Sequence, residues 1–148
     1  MNYQLLAEEL AKEQYKDLDD QTAAEKLNAA TMEVRRPVAT RDIFIAAMRM
    51  GLIVTLRTVT LDAEMPAALR ALAQTALDLT DQTVLESVDM DDPASVSLLG
   101  ALGQYGLMTE EQAAQFRAMA TVLTSMAAQL QLGTVTAGDV QSARAGGR

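Results

Sequence analysis

Between Asp89 and Asp92 the chain reads DMDD, and carboxylates at alternate positions are what a calcium loop uses as ligands. Such a loop also needs Gly at its sixth position and Glu at its twelfth. Counted from Asp89, those positions hold Ala94 and Gly100. The stretch reads instead as a solvated turn in which Asp92 caps a helix that begins at Pro93. No metal set, cofactor motif or catalytic constellation is expected in this chain.

The 148 residues include neither Cys nor His. Disulfides, thiolate metal sites and Cys nucleophiles are thereby excluded. So are a Ser-His-Asp triad, a haem with a proximal His and a zinc site of the usual kind. Chemistry based on carboxylates or Lys survives, and it would require two acids converging in a pocket with shifted pKa values. The expectation is a protein that is not an enzyme and has no small-molecule substrate.

The net charge of −8 opposes binding to phosphate backbones and to anionic membrane surfaces. The opening MNYQLLAEEL lacks the basic and apolar regions of a signal peptide. The longest apolar run, Ile43 to Leu56, is interrupted by Arg49 and Gly51 and is too short to span a bilayer. A soluble chain without nucleic-acid or membrane partners is expected.

Charge is unevenly placed. Arg35, Arg36, Arg41, Arg49 and Arg57 are opposed only by Glu33 and Asp42, whereas Asp78, Asp81, Glu86, Asp89, Asp91 and Asp92 have no Lys or Arg among them. Separated patches of opposite sign suit head-to-tail pairing between subunits. Arg35, Arg36, Arg41, Asp89, Asp91 and Asp92 are therefore the candidate interface residues. The alternatives are that these charges are solvated, or that they pair within the fold.

Ala, Leu and Met dominate the apolar 49%, and aromatics make up 3%. Those are helix formers, so an all-α domain of five to seven helices is expected. Tyr3–Gln14 carries a Leu stripe. Asp19 or Asp20 is a candidate N-cap, with Thr22 and Glu25 as a second possible start for that helix, and Thr40, Asp92, Thr109 and Thr136 are others, the last two completed as capping boxes by Gln112 and Asp139. The stretches YKDLDDQTAA at Tyr15 and YGLMTEEQAA at Tyr105 look alike because each places a cap, first-turn acids and small Ala residues in the same order. Gly51, Gly106 and Gly133 stop helices. Pro37 makes Thr31–Val38 an extended arm. Leu52–Leu61 fits a strand by composition and a helix by spacing, and the helix is favoured. Phe116, Met119, Leu123, Met126 and Leu130 recur at three and four residues, which predicts one long helix as the spine. Residues 1–133 form the expected domain and 134–148 a tail with a short helix from Ala137.

The order of AAEKLN, RRPV, TRDIFIAAMRMGL, VDMDDP and GLMTEEQA resembles small helical proteins encoded in the structural gene clusters of tailed bacteriophages and prophages. The resemblance implies a structural component of the virion in the tail or head–tail region, assembled in the bacterial cytoplasm. Its partners would be other virion proteins and copies of itself, contacted through the Thr31–Val38 arm and the Thr134–Arg148 tail. The rival expectation is a cytoplasmic adaptor or assembly chaperone absent from the mature particle.

Overall fold

A computed structural model describes residues 1–146. In chain order the elements are α1 (Tyr3–Leu10), α2 (Glu13–Lys16), α3 (Asp20–Asn28), β1 (Met32–Arg35), β2 (Val38–Ala39), α4 (Thr40–Arg49) and α5 (Leu52–Leu61). There follow α6 (Ala67–Asp78), β3 (Ser87–Val88), α7 (Pro93–Gln104), α8 (Glu110–Met119), β4 (Thr121–Thr124), α9 (Met126–Gln129) and α10 (Ala137–Arg144). The chain is mainly helical, but the all-α expectation of five to seven helices needs correction. Ten helices and four short strands occur among the described residues.

The extra elements have local causes. The first expected helix breaks after Leu10 and resumes as α2. The Thr31–Val38 arm is extended, as Pro37 requires, and its ends are strands: β1 pairs with β4, and β2 with β3. The expected spine ends at Met119, because Thr121, Val122 and Thr124 are β-branched and the backbone turns into β4. Leu123, expected in an apolar seam, is exposed.

Two compact units form, Met1–Val34 with Leu123 onward, and Arg35–Val122. The expected division at residue 133, with 134–148 as a separate tail, differs from this one. In the first unit, Leu6, Leu10, Tyr15, Leu27, Leu132, Val135 and Val140 make the core. α10 packs on both α1 and α3. Burying each large aliphatic side chain contributes about 1.5–3 kcal/mol, so Val135 and Val140 give this segment a reason to fold inward. Polar contacts fix its register. Asn28 Nδ2 donates to the Val135 carbonyl at 2.6 Å, and the Val135 N–H donates to Asn28 Oδ1 at 3.0 Å. Arg144 donates to Asp20 Oδ1 at 2.5 Å and to the Leu18 carbonyl at 2.8 Å. The Tyr3 hydroxyl donates to Asp139 Oδ1 at 2.9 Å. Positions 147 and 148 of the expected tail lie outside the described residues.

The second unit is built on Ile43, Ala47, Leu56, Ala73, Leu102 and Phe116. β2 and β3 run antiparallel, with Val38 opposite Val88 and Ala39 opposite Ser87. Asp92 caps α7 and Thr109 with Gln112 forms a capping box on α8. Thr40 is the exception among the expected caps. Ala39 occupies the N-cap of α4, while Thr40 begins the helix with its side chain fully buried.

Removing the Asn28 amide strands a backbone donor and acceptor in partly buried surroundings, which costs roughly 1–3 kcal/mol. Asn28→Ala is expected to lower stability by about that amount and to speed amide exchange selectively over 135–144. Unchanged exchange there would show that the segment is held by something else.

Candidate functional site

α4 begins the surface of interest. Its Ile43 and Ala47 face the core, which leaves Arg41, Met48 and Arg49 outside. Gly51 then takes φ +71°, a left-handed conformation that glycine adopts without a Cβ clash. The chain turns, and α5 leaves at 88° to α4. No single helix among the described residues is long and apolar enough to cross a membrane.

α5 is helical despite its β-branched content because the core selects the helical period. Leu52, Ile53, Leu56 and Val59 are all buried. The Thr55 and Thr58 hydroxyls donate to the carbonyls of Gly51 and Val54, one turn back, so neither is stranded. The opposite face mixes two apolar residues, Val54 and Leu61, with Thr55, Arg57 and Thr58. Val54 is 71% exposed and Leu61 85%. With Thr58 they recur at i, i+4 and i+7, a stripe that points to solvent. Arg57 lies beside this stripe.

The six residues expected at an interface divide sharply. Arg35 Nε donates to Asp91 Oδ2 at 3.0 Å, and Nη2 to Asp91 Oδ1 at 2.7 Å, a two-pronged pair within the chain. Arg35 Nη1 also donates to the Arg117 carbonyl at 2.7 Å and to Thr121 Oγ1 at 2.8 Å. Asp89 Oδ1 accepts the Asp91 N–H, and Asp92 Oδ1 accepts the Ala94 N–H. Four of the six thus serve the fold. Arg36 and Arg41 are exposed, and among the described residues neither makes an ion pair.

In the sequence Arg57 belongs to the basic stretch, and Asp78 and Asp81 to the acidic one. The α5–α6 packing brings all three onto one open cleft of about 560 Å³, with Phe44 and Leu77 also on its walls. The hairpin pairing of α5 with α6 across the short Asp62–Pro66 turn was the signal that could have placed them together. Gln74 Nε2 donates to Asp78 Oδ1 at 2.8 Å, and the Thr83 hydroxyl and N–H both donate to Asp81 Oδ1. Those Thr83 bonds hold the Asp81 carboxyl below the usual carboxylate range. Three or more acidic side chains do not converge as metal ligands anywhere among the described residues.

No family model, no curated protein and no solved structure matches the chain.

The Arg35 guanidinium, chiefly through its hydrogen bonds, holds the Asp91 carboxyl below its ordinary value, and Asp91 in turn raises Arg35. A lowered carboxylate pKa contributes stability that is complete above the unfolded-state value and lost as pH falls through the folded one. Asp91→Asn is expected to lower the melting temperature at neutral pH and to make its decline below about pH 4 shallower. Parallel acid profiles for the two proteins would show that the pair adds nothing.

Proposed function

We propose that this chain is a non-enzymatic structural subunit of a tailed-phage particle, placed in the tail or head–tail region. It acts through contacts with copies of itself and with other virion proteins. One observation carries the reading: the outer face of α5, where Val54 and Leu61 are exposed in one stripe beside Arg57. Exposed apolar side chains in one place mark a contact surface more than a solvated one. Arginine is the cation best suited to such surfaces, because its guanidinium is weakly hydrated and hydrogen-bonds in a plane.

The chemistry available to the chain points the same way. With no His or Cys in 148 residues, the common routes to acid–base and nucleophilic catalysis are missing. The phage setting rests on the sequence resemblance, and the α5 surface supports the assembly role.

Quantitative mass spectrometry of purified particles from cells making the protein tests the assignment. A fixed whole-number ratio to the major tail protein is the expected result. Absence from washed particles, with the protein abundant in the lysate, would replace this reading with the assembly-chaperone one.

A further inference from the structure

The second unit holds an apolar pocket of about 50 Å³, partly open to solvent, that the proposed subunit role does not use. Leu56, Ala76, Met90, Leu102, Met108 and Phe116 are among its walls, drawn from α5, α6, α7, α8 and the segments before α7 and α8. Only two lining residues carry hydroxyls, Thr80 and Ser95. The Thr80 hydroxyl is already engaged, donating to the Leu77 carbonyl at 2.7 Å.

Water gains little in such a space. An ordered buried water typically makes about three hydrogen bonds, and an apolar wall supplies none. An empty space has its own cost, because the lining atoms lose dispersion contacts on that side. An apolar guest recovers those contacts without giving up hydrogen bonds.

The wall formed by α7 is the most able to yield. From Pro93 to Gln104 this helix has no charged residue, and only Leu102 of its twelve residues is fully buried. No atom lies within 4 Å of where a Cβ would stand at Gly100. Met90 and Met108 add unbranched, polarizable side chains that adapt to a guest's shape.

We propose that this cavity is a binding site for a small, uncharged, hydrocarbon-like molecule. Its size sets the class. An engineered apolar cavity of about 150 Å³ takes benzene or xenon, so a site of about 50 Å³ suits a guest no larger than a xenon atom or a short alkyl group. A charged or hydrogen-bonding ligand is excluded because its desolvation would go uncompensated.

Xenon is the probe, read by methyl NMR of the full chain under increasing gas pressure. Saturable shifts are expected at the methyls of Met90, Leu102 and Met108, with the methyls of Leu6 and Val140 in the other unit unmoved. Ala76→Val adds two methyl groups at the wall and is expected to weaken xenon binding at least tenfold without lowering the melting temperature. If that variant does not fold, the same comparison is made with Leu99→Phe, which fills the space from α7. Absent shifts in the wild type, or shifts that persist undiminished in a folded filling variant, would overturn the proposal.

Discussion

Arg35 decides which charges this molecule keeps for itself. One guanidinium ties together the end of β1, the last turn of α8, the start of β4 and the loop before α7. That loop then supplies the Asp92 cap for α7. A planar fork is the group that satisfies a carboxylate, a carbonyl and a hydroxyl at once, which Lys does not do. Arg35 and Asp91 are spent on each other, whereas Arg36, Arg41, Arg49 and Arg57 are exposed and make no ion pair among the described residues. Val54 and Leu61 on the outer face of α5 also stay exposed.

That surface and the core impose opposite demands on α5. Its inner residues fix the helix against α4 and α6, and the fit selects a helix for a sequence whose composition favours strand. The outer residues contribute nothing to this core. Val54 and Leu61 are exposed and add little to the stability of this core. The first unit shows the contrasting case. There α10 buries Val140 and Ala143 in a core, and its Asp139 and Arg144 bond to Tyr3, Asp20, Tyr15 and Leu18 within that unit.

What was legible in the sequence was local. The caps at Asp19, Asp92, Thr109 and Thr136 and the left-handed glycines 51, 106 and 133 stand where short-range chemistry requires them. What was not legible depends on distant partners. The three-and-four spacing from Phe116 to Leu130 continues through β4, so periodicity alone conceals the break after Met119. The Asn28 clamp spans 107 residues, and without it residues 134–146 read as a tail. Arg35 and Asp91 are 56 apart, so a pair that closes inside the chain reads as two patches awaiting a neighbour. Arg57 and Asp81 share a cleft only because α5 and α6 fold back on each other.

The central claim is that the outer face of α5 is a contact surface between subunits. Mass-resolved light scattering of the purified chain, beside Leu61→Asp at the same concentration, tests it most directly. A mass above the 15.9 kDa of one chain for the wild type, falling to that value in the variant, is the predicted result. A single-chain mass for the wild type at every concentration and salt level, or an oligomer unaffected by the substitution, would contradict it.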